Sequence, residues 1–247
     1  MAKQNIYDNE SFFNGYKKIR EKENNANKLF EIPTLFSLIP DLKNKKVLDL
    51  GCGFGEHCRY FVDCGAKKVV GIDLSKKMLE VAQKENSHPK ISYIKMAIED
   101  IGKLNEKFDI IVSSLALHYV EDYSEVVKKI HAILNRGGRF LFSQEHPLAT
   151  CHSGDDRWTR DESGNKIHLN LSHYGLEGER SSTLLIENVK KYHRTFPTII
   201  NTLIDTGFIL EKVVEPMPTD ELLEKYPNYR DLFHKPDFLI IKVRKDE

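Results

Sequence analysis

An apolar run, Val47-Leu48-Asp49-Leu50, breaks into three alternate glycines, Gly51-Cys52-Gly53-Phe54-Gly55, and then continues with helical character from Glu56-His57. A strand that ends in such a loop and restarts as a helix opens a nucleotide-type site in an open α/β sheet, where ligands sit beyond the carboxyl ends of parallel strands. Lacking Cβ atoms, the glycines let the chain turn with positive φ and let a ligand lie against backbone N–H groups. Asp49, just ahead of them, suits a cationic amino group, which a phosphate-binding loop has no reason to provide. A second apolar strand, Lys68-Val69-Val70-Gly71-Ile72, delivers Asp73 to the same edge. There a carboxylate can accept hydrogen bonds from both hydroxyls of an adenosine ribose.

Strand-like runs at 46–50, 67–72, 91–97, 108–113 and 138–144 alternate with amphipathic segments, which predicts parallel strands joined by crossover helices. Ser75 is placed to cap a helix carrying Met78, Leu79 and Ala82, and Gly137-Gly138 to end the helix that holds Val126, Val127, Ile130 and Leu134. Ahead of the first strand, Ser11 to Leu38 predicts a cap of two helices, the second opened by Pro33. From Pro147 to Lys190 the alternation lapses. Gly154-Asp155-Asp156, Gly164-Asn165, Gly175 and Gly178 punctuate a stretch whose Trp158, His168 and Tyr174, with Tyr192 beyond it, predict a packed lid. A helix near Thr198–Thr206, closed by Gly207, and strands at Phe208–Val214 and Asp237–Val243 complete the pattern. The 247 residues thus read as a single domain: a helical cap over 1–45, a ligand-binding core over 46–146, a lid over 147–190 and the last part of the sheet over 191–247.

The glycine loop is followed in order by Gly71-Ile72-Asp73-Leu74-Ser75, Ala97-Ile98-Glu99-Asp100, the run from Phe108 to His118, and Leu134-Asn135-Arg136-Gly137-Gly138-Arg139-Phe140. In spacing these resemble the successive strand ends of the class I S-adenosylmethionine (SAM) dependent methyltransferases, and most of all the small-molecule branch often called type 11. The resemblance implies a Rossmann-like α/β fold: a seven-stranded sheet, mostly parallel with the last strand antiparallel, and helices on both faces. It implies SAM as cofactor and S-adenosylhomocysteine as product. Asp49, Gly51, Cys52, Gly53 and Gly55 would form the loop, Asp73 the ribose ligand, and Leu74, Met78 and Ile98 the adenine slot. Ala97, Ile98 and Glu99 fall where the family reads the adenine edge; many relatives place an aspartate where Ala97 stands. Tyr16 and Arg20, four residues apart on one helix face, would reach the cofactor's carboxylate, which a guanidinium fork matches. Ser114, at the end of the fourth strand, completes the cofactor set.

Methyl transfer from a sulfonium is an in-line displacement, so alignment in a water-poor pocket supplies much of the catalysis. A base is required only where the acceptor must lose a proton. His118, with an ordinary pKa of ~6.5, is the first candidate, and Glu145 and His146 after the fifth strand are the others. All three could instead orient loops through hydrogen bonds. His193-Arg194 could serve lid closure or an acidic acceptor.

Other chemistries lack their residues. Lys plus Arg and Asp plus Glu both number 37, so no net charge draws the chain to nucleic acid or anionic lipid. Ser113-Ser114-Leu115-Ala116 stands in place of the N/D-P-P-Y/F sequence that nucleic-acid and glutamine amino-methyltransferases carry. No metal is expected, since Asp/Asn clusters and zinc-spaced His/Cys sets are missing. Cys52, Cys58, Cys64 and Cys151 read as free cytosolic thiols, and the polar Met1-Ala2-Lys3-Gln4-Asn5 with no bilayer-length apolar run predicts a cytoplasmic protein off the membrane. The expected acceptor is a small molecule methylated at O, N or C. Two readings compete: a non-catalytic SAM-binding or regulatory protein, and an NAD(P)-dependent Rossmann oxidoreductase, whose G-x-G-x-x-G would need glycine where Glu56 stands.

Overall fold

The computed structural model describes residues 5–151 and 157–246. Met1 to Gln4, Glu247 and the stretch 152–156, which holds Gly154-Asp155-Asp156 of the expected lid, lie outside the described residues. Asn9 accepts the N–H of Phe12 at 3.1 Å and starts α1 (Glu10–Glu21). One π turn, Asn27–Glu31, runs directly into α2 (Ile32–Ser37), with Pro33 in its first turn, where the missing N–H costs nothing.

Parallel strands β1 (Lys46–Leu50), β2 (Lys68–Asp73), β3 (Ile91–Lys95), β4 (Phe108–Ser114) and β5 (Leu134–Glu145) follow. Helices α3 (Glu56–Asp63), α4 (Lys76–Glu85) and α5 (Tyr123–Ile133) connect them, with a 3-10 segment, Ile98–Lys103, between β3 and β4. Alternate residues of β1 enter opposite layers: Leu48 and Leu50 pack with Val126, Val127 and Ile130 of α5, and Val47 with Phe61 and Val62 of α3. Covered on both faces, such strands need continuous apolar sequence, which is why they stand out in the chain.

After the short helix α6 (Pro147–Thr150) come two antiparallel hairpins, β6 (Trp158–Arg160) with β7 (Lys166–Leu169), and β8 (Gly178–Leu184) with β9 (Ile186–His193). Then α7 (Phe196–Asp205), β10 (Phe208–Val214), α8 (Asp220–Lys225), a 3-10 segment Pro227–Phe233 and β11 (Phe238–Lys245) close the chain. The seven strands are ordered β10-β11-β5-β4-β1-β2-β3, with β11 antiparallel to both β10 and β5. The order reverses between β1 and β4, and that switch opens a crevice at the carboxyl edge.

One expectation needs correction. Helix α5 ends at Ile133, ahead of Gly137-Gly138, and Leu134 belongs to β5 rather than to the helix. Leu134 pairs with Phe108 and Arg139 with Ile110, so the intervening residues bulge out of the ladder. Gly137 turns there with φ 67°, and a Cβ on Gly138 would stand 2.8 Å from the Asn135 carbonyl oxygen and 2.9 Å from that of Asp109. The glycines shape the start of a strand instead of capping a helix.

The N-terminal cap and the second hairpin meet over the carboxyl edge. Ile6, Phe12 and Val189 are buried together, and Tyr7, Tyr16, Tyr119 and Ile186 pack around them. Asp8 fastens this roof to α4 by accepting from the Ser75 hydroxyl at 2.6 Å and the Lys77 N–H at 3.1 Å.

Candidate active site

Gly51, Gly53 and Gly55 all take positive φ, at 74°, 53° and 77°. The N–H groups of Gly51 and Cys52 both donate to the Ile72 carbonyl at 2.9 Å, which clamps the loop to β2. A Cβ on Gly51 would stand 2.7 Å from that of Ala116, and one on Gly55 would overlap the Tyr93 hydroxyl. Those two glycines serve the fold. Gly53 differs, since a Cβ there would meet nothing within 4 Å. Its freedom is toward open space, where a ligand would lie.

Asp73 stands at the end of β2, its Oδ2 accepting from the Gly53 N–H at 2.9 Å and its Oδ1 from the Ser75 N–H at 2.8 Å. Each oxygen keeps a further lone pair. Asp49 lies beneath the loop, fully buried. Its Oδ2 accepts from the Cys58 thiol at 3.3 Å, while Oδ1 has no partner. Burial pushes its pKa up to about 7. A buried acceptor without a donor is costly unless something supplies the missing charge or hydrogen bond.

The roof brings Tyr16 and Arg20 to this loop. Tyr16 packs on Phe54 at 6.1 Å between ring centroids, and Arg20 Nη2 meets Glu56 Oε2 at 2.5 Å, just past Gly55. Met78 is buried in the first turn of α4, whose cap is the Ser75 hydroxyl at 3.1 Å from the Met78 N–H. The Leu74 carbonyl accepts from Asn5 Nδ2 at 3.4 Å. Across the loop, Ile98 Cδ1 comes within 3.9 Å of where a Gly51 Cβ would sit, Ala97 is buried beside it, and the Glu99 carbonyl accepts from Lys129 Nζ at 2.9 Å.

Glu31 was not anticipated from the sequence. It is completely buried, and its Oε1 accepts from the hydroxyls of Ser114, at 2.8 Å, and Ser143. Oε2 has no partner, and burial raises the carboxyl pKa. A lone acid in the apolar run Leu29-Phe30-Glu31-Ile32 is the only local signal. Its partners come from β4 and β5, far along the chain.

Beyond β4 the candidate proton-handling groups separate. His118 is buried, its Nδ1 accepting from the Glu145 N–H at 3.4 Å and its Nε2 lying 4.0 Å from Glu145 Oε1. Burial pushes its pKa down to about 4. Glu145 Oε1 also receives Lys191 Nζ at 2.5 Å. Burial alone would raise the Glu145 pKa, but His118 and Lys191 turn the balance and hold it below the usual value. His146 is spent on the fold: Nδ1 caps α6 by accepting from the Leu148 N–H at 3.1 Å, and Nε2 stands 2.9 Å from Glu215 Oε1. His193 bridges the Thr150 hydroxyl and the Tyr174 carbonyl at 2.8 and 2.9 Å. Arg194 donates to the Val120 and Glu121 carbonyls, so these two residues fasten the end of the second hairpin to α6 and to the turn ahead of α5.

A family model described as a methyltransferase domain matches residues 48–142. The solved structure of an S-adenosylmethionine dependent methyltransferase from Mesorhizobium loti is 36% identical, with a TM-score of 0.78 over 90% of this chain and 99% of that one. A Listeria monocytogenes protein provisionally assigned the same activity is 42% identical, with a TM-score of 0.79 over 88% of this chain and 98% of its own. The chain belongs to the SAM-dependent methyltransferases. An uncharacterized Haemophilus influenzae protein is 41% identical over 99% of this methyltransferase and 98% of its own length. SAM is therefore the cofactor. The family match runs from β1 into β5 and stops short of Glu145. Glu31, Lys191 and both hairpins of the methyltransferase also fall outside it.

Proposed function

We propose that this methyltransferase transfers the methyl group of SAM to a small-molecule acceptor, at an O, N or C atom. The observation that carries the reading is a pair of buried carboxylates, each with one unpartnered oxygen: Asp49 near the end of β1, and Glu31, at the close of the π turn ahead of α2, bonded to Ser114 at the end of β4. They suit the cationic end of SAM. When bound, SAM supplies an electrophilic methyl group on a sulfonium. Asp73 would hold the ribose, Gly51, Cys52, Gly53 and Gly55 the backbone cradle, Asp49 the ammonium, and Tyr16 and Arg20 the carboxylate. Leu74, Met78, Ala97, Ile98 and Glu99 would line the adenine, with Ser114 and Glu31 below the reacting end. The roof of Tyr7, Tyr16, Tyr119 and Val189 favours an acceptor small enough to be enclosed, since closure that excludes water assists displacement. Glu145, held by His118 and Lys191, would face that acceptor. The four cysteines are free, which supports a reducing, cytoplasmic setting.

Calorimetric titration with S-adenosylhomocysteine and with NADH, followed by a search for methylated product in a metabolite extract, tests this reading. Binding without any product would favour a regulatory SAM-binding protein; binding of NADH alone would replace the reading altogether.

The state of Asp49 adds a pH prediction. Near neutrality a carboxyl with a pKa of about 7 is partly protonated in the free protein, and a bound cation favours the carboxylate. Cofactor binding should then release a proton below about pH 7, and affinity should rise with pH up to neutrality and flatten above it. Calorimetry in two buffers of different ionisation enthalpy reads the proton count. Proton uptake, or none at pH 6, would rule out this role for Asp49.

A further inference from the structure

A second cavity, of about 520 Å³, lies outside the SAM crevice, between the β6–β7 hairpin, the segment 225–237 and the linker after α1. Among the described residues, Arg157, Lys166, Lys225 and Lys235 line it against two carboxylates, Asp231 and Asp237, an excess of positive charge. Lys166 pairs with Asp231 and Lys235 with Asp237. Arg157 gives Nη2 to the Ala149 carbonyl at 3.2 Å, and neither it nor Lys225 has a carboxylate partner among the described residues. Aromatic rings steady the cations: Lys166 Nζ sits 4.7 Å from the centroid of Trp158, and Lys225 Nζ 5.2 Å from that of Tyr226.

This cleft adjoins the reacting end of the site. Asp237 accepts the His146 N–H at 2.8 Å through its carbonyl, its neighbour Phe238 pairs with Glu145, and the Lys235 charge acts on the Glu145 carboxylate. On the opposite wall Tyr229 meets Phe30, next to Glu31, at 4.7 Å between centroids. The walls of the cleft thus run up to the residues beside Glu145 on one side and Glu31 on the other.

We propose that the cleft receives the anionic end of the methyl acceptor, a metabolite whose carboxylate or phosphate is held by Arg157, Lys225 and Lys235 while its reacting atom lies under the roof. The proposal rests on the methyltransferase reading above for the word acceptor, and on the cleft alone for the anion. An Arg fork and two ammonium groups with unequal numbers of internal counter-charges favour a ligand that brings its own negative charge.

Trp158 is the only tryptophan of the chain, so its fluorescence reports on this wall. Titrations with benzoate, phenyl phosphate, inorganic phosphate and neutral benzamide, all with S-adenosylhomocysteine present, separate carboxylate from phosphate and charge from ring. At least one anion should shift the emission saturably, with benzamide at least about tenfold weaker. The double variant Arg157→Gln/Lys225→Gln should bind that anion at least about tenfold more weakly while S-adenosylhomocysteine affinity stays at the wild-type value. Extract fractions resolved by anion exchange, incubated with methyl-labelled SAM, should carry the label in the retained fraction. Saturation by benzamide as tight as by the anions, no response to any anion, or label confined to the unretained fraction would each overturn the proposal. Failure of wild-type protein to bind S-adenosylhomocysteine would instead strike the methyltransferase reading and leave the anion titration to decide the cleft.

Discussion

Replacing Asp73 with Ala should weaken S-adenosylhomocysteine binding by roughly 1.5–3 kcal/mol, about tenfold to over a hundredfold. In the proposed site the carboxylate would take two ribose hydroxyls, and it already orders the loop by accepting the N–H groups of Gly53 and Ser75. Its loss would remove ligand contacts and also release the loop. Gly53→Ala separates these effects. The added methyl points into open space, so the fold bears only the left-handed backbone strain, about 1–2 kcal/mol. The cofactor, lying against that backbone, would meet the methyl directly. Gly51→Ala is the contrast, because its methyl would press on Ala116 and destabilise the loop itself. Calorimetry and thermal unfolding on the three variants should show Gly53→Ala well folded and poor in binding. Wild-type affinity in both Asp73→Ala and Gly53→Ala would remove the loop and the β2 acid from the cofactor site.

What the chain discloses in advance is what local chemistry determines. The glycines need positive φ, Asp73 needs only to end a strand, and the apolar runs of β1, β2 and β4 reflect burial on both faces; each can be read within a few residues. The start of β5 could not be read this way. Gly137-Gly138 after an amphipathic stretch has the local form of a helix stop, but pairing of Leu134 with Phe108 in the neighbouring strand takes the residue from the helix. Long-range partners decide the polar groups too. Nothing near Glu31 announces Ser114 and Ser143, and nothing near His146 announces Glu215, although these contacts determine which side chains remain available for chemistry. The expected lid stretch contains two hairpins with different attachments. The first is tied by Lys166 to Asp231, and the second packs through Val189 on the N-terminal cap.

Those partners leave Glu145 as the group proposed to take a proton. Glu145→Gln should lower the single-turnover rate of methyl transfer by about 10²–10⁴-fold, with cofactor affinity near wild type. His146 has both ring nitrogens engaged in the fold. The His118 Nδ1 accepts a backbone N–H, so the proton of the neutral ring sits on Nε2, and with a pKa pushed down to about 4 the ring stays neutral at pH 7. A neutral ring in that tautomer has no free lone pair with which to take a proton. It can position Glu145, whose carboxylate is charged at neutral pH. His118→Ala should therefore cost less than Glu145→Gln and appear partly as a raised acceptor KM. Lys191→Met, by removing a cation from Glu145, should shift the acidic limb of the pH–rate profile to higher pH, because the carboxyl then holds its proton longer. A His118→Ala loss as large as that of Glu145→Gln, with the profile unmoved in Lys191→Met, would transfer the role to His118. Full activity in Glu145→Gln would leave alignment alone to account for the rate.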